Sequence, residues 1–473
     1  MPGLEALADV VERHRNPRSG SSADPLSILI FLIGRWVFGS AEALESAFKH
    51  TDLWSRTLRQ SAARVGRFLP EKPLTYDQLR HLRDALDDNV YEALARELTV
   101  QATLLAKSIG LLDADEHTRI HAPSATSVIY ADGTVFSSLS SVTTGPDGIT
   151  QGSRAKDLAN ARVAVRHVGK NGDTSVGGVP ITLVGVHGRE ELKGVILGVS
   201  LYADRDEIGS SMRLLDSVIT ESQGGISHVI YDQLMSGKHI RELMTRNRVV
   251  PVVAMTSASP SERHVVIPPE IQRTGYSSKG YTKSGEKRGP KERAQLYYLE
   301  TLEHKTPHGV CRHDLWALDG AIVSVPSGRE VTVDADWVEC RRYEWLDSDA
   351  GGDALIGHHR VPCRSGDLWV RIDFTVGRGG ERALADKLRP IPESAPHAGH
   401  LEGLRSAVES QFAWLKNRLP FRRVSSLDQR HFLLDVIGGA LLCNAIAWDT
   451  HGAQHTTCAK ALAKKRRRKA LGR

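Results

Sequence analysis

The apolar residues of this chain change their spacing near residue 120, and that change bounds the folds open to it. Before it they recur at i, i+3 and i+4, the repeat of one helix face. After it they come in short runs separated by Gly, Asn and Asp, the pattern of strands and turns. Helices are predicted over 3–15, 25–37, 41–49, 52–64, 75–86 and 89–108, with a Pro/Ser/Gly linker at 17–22 and Ser40 and Thr51 as N-caps. Strands follow at 127–132, 162–168, 179–187 and 192–202, then a helix at 206–222, a strand at 227–231, a helix at 237–246 and a strand at 249–255. Several strands, then helix, strand, helix, strand describe an α/β sheet with an antiparallel start, whose site belongs at strand C-terminal ends.

Between about 257 and 392 the spacing changes again. Residues 273–293 are rich in Gly, Ser, Lys and Arg and read as a mobile basic loop. Strands recur at 315–318, 321–325, 331–333, 337–343, 358–362 and 368–376, so this stretch reads as a β-rich module inserted into the α/β domain. Helices resume at 399–418 and 427–448, the second almost wholly apolar and expected to be buried. At 473 residues the chain exceeds one ordinary core. The division expected is 1–122 helical, 123–256 catalytic, 257–392 inserted, 393–450 helical again, and 451–473 a basic tail.

The apolar run 26–39 is interrupted by Arg35 and is too short to span a bilayer, and the first residues lack the order of a secretory signal. Five scattered cysteines, an odd number, argue against a disulfide framework and for a reducing cytoplasm. The net charge of +6 is uneven: eight cations and no acid lie in 460–473, which leaves −2 for the rest. The basicity is local, with Lys464, Lys465, Arg466, Arg467 and Arg468 forming a tail that is unstructured alone and attracted to phosphates. Lys283, Lys287 and Arg288 add cations in the basic loop. Residues 40–67 have the spacing of a helix-turn-helix, with Arg56, Arg59, Arg64 and Arg67 along its second half.

Three acids end recognisable elements. Asp132 ends the run 127–131 and precedes Gly133; Asp232 ends the run 227–231 before a helix. Alone, an Asp-Gly pair is a common turn; two such rims in one sheet carry more weight. Glu409 sits with Arg405 and Lys416 at i, i+4 and i+11, and 100° per residue puts all three on one helix face. Val408, Phe412 and Leu415 form the opposite, packing face. A surface Arg–Glu pair would look similar. Two strand-end carboxylates and a helical third can also enclose two divalent cations about 3.5–4 Å apart, which clamp the attacking and leaving oxygens of a phosphodiester. Arg405 is suited to bidentate phosphate contact.

Together these features resemble bacterial insertion-sequence transposases of the DDE type. Arg405, Glu409 and Lys416 match the last three positions of that family's Tyr-x2-Arg-x3-Glu-x6-Lys signature, and Glu402 stands where the family has Tyr. The resemblance implies a ribonuclease-H-like mixed sheet, a helical N-terminal DNA-binding region and a β-rich insertion before the last catalytic helix. It implies that Asp132, Asp232 and Glu409 hold two Mg2+ ions, for which Mn2+ can substitute. Water then hydrolyses a phosphodiester at the element's end, and the freed 3′-hydroxyl attacks target DNA. The implied partners are double-stranded terminal inverted repeats and target DNA, bound by a homodimer associated with the nucleoid, with no membrane. The rival readings are a DNA-binding relative that no longer cuts, and a ribonuclease-H-like structure-specific nuclease.

Other residues compete for notice. Asp204 and Asp206 lie near a rim, while Asp373 reads as structural. His304, His308, Cys311 and His313, with Cys340, His358, His359 and Cys363, offer the chemistry zinc prefers. Their spacing matches no standard finger, so buried thiols and ordinary loop histidines are expected. Trp316, Trp337, Trp345 and Trp369 read mostly as core.

Overall fold

The computed structural model describes residues 3–15, 23–64, 66–86, 89–113, 120, 123–137, 142–144, 150–152, 178–188, 194–202, 206–232, 234–253, 264–266, 293–307, 309–318, 320–327, 329, 336–347, 352–375, 384–392, 398–419 and 429–470. The strand expected at 162–168, the one at 331–333, the linker at 17–22 and the basic loop at 273–292 lie outside the described residues.

The fold is mixed α/β. The helical start comprises α1 (Leu4–Arg13), α2 (Pro25–Phe38), α3 (Ala41–His50), α4 (Arg59–Arg64), α5 (Tyr76–Ala85) and α6 (Asn89–Ser108). Their beginnings follow capping chemistry. The Asp24 side chain accepts from Ser27 N–H, the Ser40 side chain from Ala43 N–H, and Thr75 with Gln78 closes a capping box. Thr51 ends α3 rather than starting its own helix, and Leu53–Leu58 forms a π-helical turn that leads into α4.

The main sheet contains β1 (Val128–Ser137), β4 (Gly178–Val186), β5 (Val195–Leu201), β6 (His228–Tyr231) and β7 (Val250–Val253), in the order β5-β4-β1-β6-β7. β1, β6 and β7 are parallel, whereas β4 and β5 are antiparallel. A small hairpin, β2 (Val142–Thr144) with β3 (Thr150–Gly152), follows β1. β1 is longer than the sequence indicates: it runs five residues past Asp132, so Asp132 is mid-strand and Asp132-Gly133 is not a turn.

The chain divides into two compact units. Residues 1–113, 131–223 and 407–473 form one. In it α7 (Glu207–Ser222) and α6 cover β4 and β5, together with the long α10 (Gln429–Ala470). Over Arg430–His451, α10 is long and apolar enough to cross a membrane, yet 72% of that window is buried, the behaviour of a core helix. The Asn444 amide accepts from Ile196 N–H (2.9 Å) and donates to Ile196 O (3.0 Å), satisfying backbone groups of the edge strand β5. A Cβ on Gly438 would lie 2.9 Å from the Leu32 backbone, so only glycine lets α10 approach α2 this closely. α10 also continues to Ala470, so the basic run 464–468 extends a helix instead of forming a separate tail.

The second unit holds 114–130 and 224–406. It contains α8 (Gly237–Asn247) and the inserted strands, which form two sheets. One is ordered β12-β11-β10-β9-β8, from β8 (His264–Val266), β9 (Arg293–Thr306), β10 (Gly309–Leu318), β11 (Ala321–Pro326) and β12 (Asp336–Trp337). The other is β13-β14-β15, from β13 (Glu339–Asp347), β14 (Asp353–Val361) and β15 (Leu368–Asp373). Arg248, at the left-handed end of α8, binds Asp353 (2.7 Å) and Asp347 (2.5 Å). Buried Arg389 donates to Val253 O at the end of β7 (3.0 Å). The helix α9 (Ala398–Arg418) then precedes α10.

Within this unit a buried polar chain marks the start of β1 and β6. Ser227 N–H donates to Ser127 O (2.9 Å), the two hydroxyls meet at 2.7 Å, and His228 lies between the Ser227 hydroxyl and Ile120 O, 2.8 Å from each. Burial pushes the His228 imidazole down to about 4, against the opposing pull of the Ile120 carbonyl. The unfolded imidazole takes its proton near pH 6.5 and the folded one only near 4. Between those values the unfolded chain binds more protons, so stability contributed by His228 is present above pH 6.5 and is lost as pH falls towards 4, by roughly 3 kcal/mol in total. Denaturant unfolding at pH 7 and at pH 4.5 should therefore show a smaller loss for His228→Gln than for the parent chain. Equal losses would contradict the assignment.

Candidate active site

Asp132 lies on β1 with Thr134 and Phe136, residues of one strand face. Its Oδ1 accepts from Gly133 N–H (2.9 Å), which fixes the carboxylate's direction. Lys416, from α9, comes down on this face: its Nζ donates to Thr134 Oγ1 (2.6 Å) and sits 5.4 Å from the centre of the Phe136 ring. Burial lowers the pKa of this ammonium, and the Asp132 charge pulls it back up. Asp132, Thr134 and Lys416 are thus brought together, 282 residues apart between the last two.

Glu409 shares α9 with Lys416 and is exposed. Seven residues of helix separate them by about 10 Å along the axis, on one face. Phe412 and Leu415 are buried on the other side, as the spacing requires. Arg405 belongs to the same helix, and its side chain lies outside the described residues.

Asp232 follows β6, half-buried, and its Oδ1 accepts from Leu234 N–H (2.9 Å). The parallel register pairs Val128 with His228, Ile129 with Val229 and Tyr130 with Ile230. Asp132 stands two residues beyond Tyr130 on β1, and Asp232 two beyond Ile230 after β6.

Sequence reasoning missed Glu207. This residue opens α7, and a Cβ on Gly133 would lie 2.3 Å from its carboxyl carbon, so Gly133 leaves the space that Glu207 occupies. The buried Tyr202 phenol is raised in pKa by burial first, then by the charge and hydrogen bond of Glu207, then by Asp132. The two carboxylates therefore act on one phenol. An acid in the first turn of a helix is ordinary dipole chemistry, so nothing in the sequence singled it out. Its neighbour Asp206 is engaged by Arg213 (2.9 Å), and Asp204 lies outside the described residues.

The other predicted contacts separate. Arg56 is exposed and paired with Asp52 (3.1 Å), Arg59 opens α4 half-buried, and Arg67 is held by both carboxylate oxygens of Glu5 (2.9 and 2.7 Å). Lys283, Lys287 and Arg288 lie outside the described residues, as do the side chains of Lys464, Lys465, Arg466, Arg467 and Arg468. Asp373 ends β15, where its Oδ1 accepts from Thr375 N–H (2.8 Å). Trp369 is 62% exposed and is not core.

The histidines and cysteines of the insertion sort into two sets. Cys340 reaches Arg342 O, His358 binds Glu344 (2.9 Å), and buried His359 binds Gly357 O (3.1 Å). Cys311, His313 and Cys363 converge, while His308 lies outside the described residues. Comparison of the chain with protein-family models, with curated proteins and with solved structures found no match in any of the three.

The contact of Gly133 with Glu207 gives a direct test. Gly133→Ala should cost about 1–3 kcal/mol by overpacking. In a Glu207→Ala background that cost should largely vanish, because the colliding carboxylate is gone. Thermal unfolding of the four proteins in the cycle measures it; a penalty unchanged by the second substitution would contradict the contact.

Proposed function

We propose that this chain is a metal-dependent DNA transposase of the DDE type. The observation that carries the proposal is the approach of Lys416 to the Asp132 face of β1, since Lys416 and Glu409 lie on one face of one helix. The order β5-β4-β1-β6-β7, with β1, β6 and β7 parallel and β5 antiparallel to β4, supports a ribonuclease-H-like reading of the sheet. In this reading Asp132 and Asp232 each stand two residues beyond the register pair of Tyr130 with Ile230.

The donor set fits magnesium. All three groups are carboxylates, the hard oxygen ligands that Mg2+ and Mn2+ prefer, and two are aimed by backbone N–H groups at 2.9 Å. Asp132, Asp232 and Glu409 would hold the ions, which supply Lewis-acid stabilisation of the phosphodiester oxygens. The chain's own part is positional. Gly133 N–H and Leu234 N–H orient carboxylates, and the Lys416 ammonium places positive charge beside Asp132 where a phosphate would lie. Arg405 is assigned to phosphate on the same helix face, and the basic segments 273–293 and 464–468 to the DNA backbone.

The test uses duplexes spanning the two borders of the genomic segment that carries the gene. With Mg2+ the parent chain should bind them, nick them and join the 3′ ends to a second DNA. Asp132→Asn, Asp232→Asn and Glu409→Gln should each lower nicking by about 100-fold or more while binding in gel shift changes little. One fully active variant removes that residue from the site. Nicking without strand transfer would indicate a nuclease, and binding without nicking a relative that no longer cuts. If the two basic segments neutralise about six phosphates, the log–log slope of affinity against salt should be near −5, and a flat response would remove them from the interface.

A further inference from the structure

We propose that Cys311, His313 and Cys363, with His304 as fourth ligand, bind one zinc ion in the β-rich insertion. Cys311 and His313 are two apart on β10 and so project from one face of its sheet. His304 is the antiparallel partner of Cys311 across β9 and β10, which places it on that face as well. Cys363 arrives from the other sheet, two residues after β14, in a turn closed by Gly366 N–H to Cys363 O (3.1 Å). The ligand atoms of Cys311, His313 and Cys363 all lie within 4.8 Å of one another. Zinc bonds of about 2.1–2.3 Å in a tetrahedron put ligand atoms roughly 3.4–3.8 Å apart, so small side-chain adjustments bring Cys311, His313 and Cys363 to ligand spacing.

Two buried nitrogens point independently to a missing partner. His313 is only 7% exposed, and its Nε2 has no hydrogen-bond partner; the same is true of His304 Nδ1. The other ring nitrogen of His313 lies 3.4 Å from the Ser324 hydroxyl, an anchor that leaves Nε2 as the ligating atom. Two thiolates and two imidazoles select zinc over the hard cations proposed for the carboxylates. The ion would tie β9 and β10 to the turn after β14, linking two sheets of the insertion.

The full chain, purified under reducing conditions, should contain about one zinc per molecule by elemental mass spectrometry. Cobalt replacing it should give a thiolate charge-transfer band and the visible absorption of a tetrahedral ion. Cys311→Ser and Cys363→Ser should each lose the zinc, and His304→Ala should weaken binding by about 10-fold or more. A reduced parent chain that takes up neither zinc nor tetrahedral cobalt would overturn the site, whatever the folding of the variants. So would either Cys variant retaining a full zinc. An undiminished affinity in His304→Ala would overturn the four-ligand assignment.

Discussion

The parallel register of β1 and β6 is the constraint on which the candidate site depends. Side chains alternate along a strand, so a slip of one residue would turn every group on that strand to the opposite face. Apolar pairs such as Ile129 with Val229 resist such a slip only through burial. The polar chain through Ser127, Ser227, His228 and Ile120 O makes the register specific, because its groups are buried or half-buried and matched to one another. A shifted strand would leave several of them without partners, at about 1–3 kcal/mol each. Asp132 and Asp232 take their positions along their strands from this base, four to five residues away.

A second constraint fixes the helix opposite Asp132. Leu415 rests against Gly439 of α10, where an added Cβ would lie 2.8 Å from its Cδ2, so the two helices meet without an intervening side chain. α10 is in turn fastened to β5 by Asn444. With Leu415 and Phe412 packed inward, the adjacent Lys416 turns towards Thr134 and Phe136. The cation beside Asp132 is thus a consequence of how tightly α9 and α10 approach. An apolar helix with the composition of a membrane span serves here as the surface against which a polar site is registered.

Much of this was legible because the two structural periods differ. The helices before residue 110 and the strands at 179–187, 192–202 and 227–231 all stand close to where their spacing put them. The errors have identifiable causes. Asp-Gly reads as a turn, but β1 continues through Gly133, beside which Glu207 occupies the space a side chain would need. α10 outruns its apolar stripe, since a charged helix end carries no hydrophobic period. Arg67 looked available for phosphate, yet Glu5 lies 62 residues away in sequence and within hydrogen-bond reach in space. The grouping of Cys311, His313 and Cys363 was hidden for the same reason: cross-strand neighbours leave no short spacing to recognise.

The two candidate metal centres differ in the way their roles require. A site that exchanges substrate needs hard ligands that remain reachable, and the carboxylates of Asp132, Asp232 and Glu409 are half-buried or exposed. A site that only holds strands together is best closed, with soft ligands and no open position. His313 is buried, and Cys311 and Cys363 are half-buried between two sheets. Softness keeps magnesium from the second site, while the absence of thiolate among the three carboxylates removes zinc's advantage at the first. Ligand type alone would therefore let one chain carry both proposed ions, each held where its chemistry is useful.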